Sequence, residues 1–105
     1  MEAKSKNNNT NLILKYIGDN DINSFENNIK NIKIDADEIR KIMLNIIEND
    51  NGEFFEVMHT SFKEINRNFV IIIENDKIIN LEDYIIKSKA SQCLEYFLTE
   101  ILKYD

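Results

Sequence analysis

The stretch Ile39-Arg40-Lys41-Ile42-Met43-Leu44-Asn45-Ile46-Ile47-Glu48-Asn49-Asp50-Asn51-Gly52-Glu53-Phe54-Phe55-Glu56-Val57-Met58 decides the fold class. Ile39, Ile42, Met43, Ile46 and Ile47 recur at i, i+3, i+4, i+7 and i+8, one face of a helix with 3.6 residues per turn. Asp35 or Asp37 precedes the run, and acid in a first turn suits the positive end of the helix dipole. Glu48 to Gly52 ends it with turn chemistry. A second helix follows at once, with Phe55, Met58, Phe62 and Ile65 on one side. The spacing predicts an antiparallel helical pair.

Two other stretches superimpose on this turn. Tyr16 to Glu26, Ile46 to Glu56 and Ile85 to Glu95 each run from two residues of a first helix, through a polar turn, to an apolar-Glu step on a second. Glu26, Glu56 and Glu95 are 30 and 39 residues apart. Leu14 with Ile17, and Ile22, Phe25, Ile29 with Ile32, supply the faces of the first pair. Leu81, Tyr84 and Ile85, capped by Asn80, precede Leu94, Phe97, Leu98, Ile101 and Leu102 in the last. Leu94, Phe97 and Leu98 are expected to be buried. Phe69–Ile73 breaks the helical pattern with five consecutive apolar residues. With Glu74-Asn75-Asp76-Lys77 and Ile78-Ile79 it reads as a β-hairpin over residues 69–79. A buried helix start is the competing reading of so short an apolar run.

Helix, polar turn, then Cys93-Leu94-Glu95-Tyr96-Phe97-Leu98 resembles the helix-pair half of an ankyrin repeat. Tyr84 to Leu98 is the best-matching stretch, and Phe55-Glu56-Val57-Met58 and Phe25 to Ile29 are weaker copies. The intervals of 30 and 39 bracket that family's period of about 33. The Thr-Pro-Leu-His opening is absent, Ile46-Ile47 and Ile85-Ile86 stand where the family has a small pair, and the third unit lacks Gly before its second helix. The expected fold is mainly α. It consists of about three stacked antiparallel helical hairpins, as an ankyrin-like solenoid or a compact helical domain. Residues 1–11, Lys/Asn-rich and polar, read as a disordered lead, and 12–105 as one domain.

Lys plus Arg is 13 and Asp plus Glu is 19, a net charge of −6. That balance argues against direct nucleic-acid binding and against an anionic membrane surface, both of which need a basic footprint. No apolar run is long enough to span a membrane, and a cytoplasmic location is expected. The chain has two Gly and no Pro, which removes glycine-dependent phosphate loops. Ile occurs 19 times and Asn 16 times, and both have A/T-rich codons, so no single Asn carries much functional weight. Of the 13 basic residues only Arg40 and Arg67 are arginine.

His59 and Cys93 are the only residues of their kinds. Nothing in the spacing links either to the other or to a carboxylate, so neither nucleophilic catalysis nor a zinc site is expected. Asp19-x-Asp21-x-Asn23 opens like a calcium loop, but its sixth position is Ser24 and its twelfth Lys30. The reading is therefore a non-enzymatic protein without metal or cofactor.

Residues 1–35 are neutral in sum, whereas 36–70 and 71–105 each carry −3. Much of this acid lies between helical pairs. Asp35, Asp37, Glu74 and Asp76 are the candidate partner-facing residues, since such loops are exposed and free to carry function. The expected activity is inhibition or antagonism of another protein with a basic surface, such as a nuclease. Steric occlusion with electrostatic steering would be the mechanism, as in immunity proteins and mobile-element inhibitors. A homo-oligomerising subunit and an ankyrin-like host-targeting effector are the alternatives, the first suggested by Phe54-Phe55 and Ile71–Ile73. Either a monomer or a homodimer fits.

Overall fold

The structure is a computed structural model that describes residues 2–104. Its elements run α1 (Glu2–Gly18), α2 (Ile22–Ile29), α3 (Ala36–Glu48), α4 (Gly52–Ser61), β1 (Val70–Glu74), β2 (Lys77–Asn80), α5 (Leu81–Ser88) and α6 (Ser91–Tyr96). A π-turn over Phe97–Ile101 and a 3-10 turn over Leu102–Tyr104 prolong α6. The fold is thus mainly helical with one small antiparallel sheet.

Local chemistry sets the helix starts. Asp35 caps α3 in a full capping box: its carboxylate accepts from Glu38 N at 3.0 Å, and Glu38 Oε1 accepts from Asp35 N at 3.0 Å. Asp21 caps α2 through Ser24 N, and Asn80 caps α5 through Asp83 N. The Asp19-x-Asp21 stretch is therefore a helix turn and cap.

The turns within the three helical pairs share one backbone geometry. Asn20, Asp50 and Lys89 all take the left-handed conformation, with φ of 57°, 50° and 56°. Their N–H groups donate to Ile17, Ile47 and Ile86 carbonyls, and Asp21 N and Asn51 N reach back to Tyr16 O and Ile46 O. In the first two pairs these are the two bonds of a Schellman stop, which satisfies the last carbonyls of a helix; the third pair makes the shorter one. Asn and Asp tolerate this conformation through their short polar side chains, whereas Lys89 carries the ordinary penalty of an L-residue there.

α3 and α4 supply the centre of the core. Ile39, Ile42, Met43, Ile46 and Ile47 are all buried, as the spacing predicts. α3 packs against α1, α4, α5 and β1, while α4 packs against α2, α3 and α6. Phe54 and Phe55 are both fully buried because consecutive helical residues point about 100° apart. Phe54 meets Phe25 of α2 edge-on at 4.7 Å, and Phe55 meets Tyr96 of α6 at 5.5 Å. The adjacent phenylalanines thus serve two intramolecular contacts, which removes them as a sign of oligomerisation.

The hairpin forms as read, with Glu74↔Lys77, Ile73↔Ile78 and Ile72↔Ile79 paired across the two-residue Asn75-Asp76 turn. Asn75 takes the positive φ that so tight a turn needs. A bulge between Val70 and Ile72 breaks the alternation and lets Ile71 enter the core, whereas Ile73 and Ile78 stay exposed.

One expectation needs correction. Leu98 is exposed and Leu94 only half-buried; the inward face is Cys93, Phe97 and Ile101. The last helix carries two apolar i+4 ladders side by side, and the neighbouring helices cover only one of them. α1 runs from Glu2 to Gly18, and Met1 lies outside the described residues. Thr10 is buried and its hydroxyl donates to Glu38 Oε2 at 2.6 Å. A polar contact ties this part of α1 to α3, so hydrophobic patterning gave no sign of it.

Candidate functional site

The hairpin is held against the helices by the only two arginines. Arg40 of α3 donates through Nε to Val70 O at 3.0 Å, taking up a carbonyl at the bulge, and its Nη1 pairs with Asp37. Arg67 donates through Nε and Nη2 to Glu82 Oε1 at 3.2 and 2.9 Å, fixing the loop before β1 to α5. At Arg40 the planar fork serves two acceptors at once, and at Arg67 two of its N–H groups converge on one carboxylate oxygen.

A groove of about 590 Å³ runs between α3, β1 and α5. Leu44, Ile72, Ile73 and Tyr84 give it apolar surface, and Asp37, Lys41, Glu48 and Glu74 give it charge. Tyr84 donates to Glu48 Oε2 at 3.4 Å across one end. Burial raises the Tyr84 phenol above its usual value, so it stays a donor at neutral pH.

The four candidate acidic residues fall in different places. Asp37 and Glu74 line this groove. Asp35 is exposed but spends its carboxylate on the α3 cap. Asp76 sits in the hairpin turn and is not part of the groove wall. The groove's apolar surface was not legible, since nothing local in the sequence says which side of β1 faces α3.

A second concentration of acid lies on the α4–α6 side. Glu53, Glu56 and Glu95 line a cleft with Gln92, Tyr96 and Thr99, and no basic residue lines it. Glu100 stands close enough to act on His59 and Tyr96 as well. All four glutamates are exposed. His59 Nδ1 and Tyr96 Oη share a hydrogen bond of 2.9 Å. Burial lowers the His59 pKa, with Glu100 and Glu56 opposing, and the imidazole is neutral at pH 7. Burial, then Glu56 and Glu100, push the Tyr96 phenol up to about 12.

Asp50 is the residue the sequence concealed most completely. From the turn of the middle pair its carboxylate accepts from Gln92 N at 3.1 Å, Cys93 N at 3.0 Å and Ser91 Oγ at 3.2 Å. It thereby caps α6, whose own N-cap, Ala90, offers no side-chain bond. Burial alone would raise the Asp50 pKa, but the bonds from Cys93, Gln92 and Ser91 outweigh it and hold the carboxyl below its ordinary value. Burial, with the Asp50 carboxylate beside it, pushes the Cys93 thiol up to about 12, so it is a packed thiol and not a nucleophile at neutral pH. Gly52 lies where α4 and α6 approach: a Cβ there would meet Gln92 Cβ at 3.3 Å.

Among the described residues no group of three or more His, Cys, Asp or Glu side chains is placed to hold a metal ion. None of their helices is long and apolar enough to cross a membrane. No protein-family model, curated protein or solved structure matches this chain.

Proposed function

We propose that the chain is a non-enzymatic protein-binding module, a short ankyrin-like stack of three helical pairs, acting as an acidic cytoplasmic inhibitor or antagonist of a basic protein. The stack reading draws on the neighbour relations α1–α3–α5 and α2–α4–α6, joined within each pair by the same left-handed turn. The observation that carries the function is the groove between α3, β1 and α5, with apolar side chains accessible on a finger fixed by two arginines. A partner segment seated there buries Leu44, Ile72 and Ile73 and meets Asp37 and Glu74 at the rim. The uncompensated glutamates of the α4–α6 cleft add to the field that draws in a basic surface. Blocking follows from occupation of the partner's working surface.

A photoreactive side chain placed at Ile73 in the source cells tests this. One discrete adduct with another protein is expected, lost on joint Asp37→Lys and Glu74→Lys substitution and absent when the probe is moved to Lys30. The captured protein, purified, should lose activity on adding the chain. No adduct, or adducts that ignore the charge reversal, overturns the reading. With the partner in hand, replacing Asp35, Asp37, Glu74 and Asp76 by their amides should slow association more than it speeds dissociation, and salt should shrink the difference.

A further inference from the structure

The register of the hairpin fixes which of its peptide groups are left over. Glu74 and Lys77 face each other directly across the two-residue turn, so they are a pair that exchanges both backbone bonds, and Ile72 with Ile79 is the next. Ile73 and Ile78 stand between these as a wide pair. Their N–H and C=O groups therefore point away from the ladder, those of Ile73 from the β1 edge and those of Ile78 from the β2 edge. The sheet has two strands, and neither residue bonds through its backbone to a turn or loop among the described residues.

The two edges differ. On β2 the open residue stands beside exposed Lys77, the kind of charged side chain that keeps strand edges apart. On β1 it opens into the α3–β1–α5 groove, whose wall includes Ile72, Ile73 and Glu74. Arg40 of α3 already satisfies Val70 O at the start of β1, so the peptide groups of Ile73 are the ones that remain open. Acid outweighs base along the groove. Asp37, Glu48 and Glu74 face Arg40 and Lys41, and Arg40 is spent on Asp37 and Val70. Glu74 is exposed and has no ion pair among the described residues.

We propose that the groove takes an extended segment of the partner protein, which adds to β1 as a third, antiparallel strand and exchanges both backbone bonds with Ile73. An unpaired N–H and C=O on a strand edge are matched together by another extended backbone, which sets the form of the occupant. With one open residue, antiparallel pairing is favoured, because a single facing residue returns both bonds. Side chains follow from the register: the partner residues opposite Glu74, Ile73 and Ile72 are basic, apolar and apolar in chain order. The proposal rests on the groove reading above and names the segment that the groove takes.

Amide hydrogen exchange of the isotope-labelled full chain, with a capped peptide built on Lys-Val-Val, tests it. In the free chain the Ile73 and Ile78 amides should exchange faster than those of Ile72 and Glu74, which lie in the ladder. Peptide at millimolar concentration should slow Ile73 at least about fivefold and leave Ile78 unchanged. N-methylating the valine opposite Ile73 should weaken binding about tenfold, as should replacing the peptide's lysine by glutamate. Ile73→Pro removes the outward donor without touching a ladder bond and should do the same, whereas Ile78→Pro should not. Protection of the Glu74 amide reports an intact hairpin; if Ile73→Pro loses it, the N-methylated peptide decides. An Ile73 amide that stays unprotected, protection at Ile78 instead, or equal binding of the N-methylated peptide overturns strand addition. Moving the photoreactive side chain to Leu44 separates the two readings. An adduct from Leu44 that survives Ile73→Pro with the hairpin intact keeps the groove function and overturns strand addition, whereas no adduct from either place overturns the groove function itself.

Discussion

The middle and last helical pairs share a turn and a register, yet one is covered on both sides and the other on one. Ile47 and Ile86 occupy the same position, preceded in each case by an isoleucine that is buried. The difference between them is not chemical. It lies in what stands next door, and it shows that an apolar pattern marks a face without saying whether that face is filled.

The widest separation between the two pairs is expected in core truncation. Ile47→Ala should destabilise by about 2–5 kcal/mol, whereas Ile86→Ala should stay within about 0.5 kcal/mol when measured on the monomer. Urea unfolding of both variants checks it; equal losses would mean that the last pair is covered within the chain after all. Leu98→Ala belongs with Ile86→Ala, not with the core.

Next comes the bond between the pairs. Asp50→Ala should cost about 1–2 kcal/mol, since it removes the cap of α6 and puts alanine in a left-handed turn. Asp50→Asn keeps the conformation and one acceptor and should cost less. Asp50→Gly relieves the backbone but loses the cap. If all three melted alike, the cross-pair cap would contribute nothing.

The turns themselves offer a smaller test. Lys89→Gly should stabilise the chain by up to about 1 kcal/mol, because glycine enters the left-handed region without steric penalty. Asn20→Gly should change little, as Asn already suits the conformation. Thermal melts that reverse this order would show that the three turns are not equivalent.

The smallest effect is in pH. His59 protonates less readily folded than unfolded, so its contribution is complete above its ordinary pKa of 6.5 and is lost as pH falls below it. Asp50 follows the same sign lower down: its carboxylate supports the fold above its ordinary 3.8 and fails below. Denaturant midpoints should decline gently from pH 7 to 5, and His59→Gln should flatten that decline while leaving the steeper loss in stronger acid. A midpoint that rises on acidification from pH 7 would contradict the burial of His59 against Tyr96.

Local chemistry was legible where neighbours in sequence are neighbours in space. The α3 face, the Asp35 and Asn80 caps, the Asn75-Asp76 turn and the three-fold recurrence of the helical turn follow from spacing and side-chain type. Periodicity and capping act within a few residues of the chain, and the sequence determined them unaided. Tertiary structure alone decided the rest. It chose which of two apolar ladders on the last helix is inward, set Asp50 on a helix end about forty residues away, and turned Phe54 and Phe55 to different neighbours. It also gathered Asp37 and Glu74 onto one groove while committing Asp35 to a cap. Each of these outcomes depends on contacts between segments far apart in the chain, and burial is a property of the assembled surface that no single helix carries by itself.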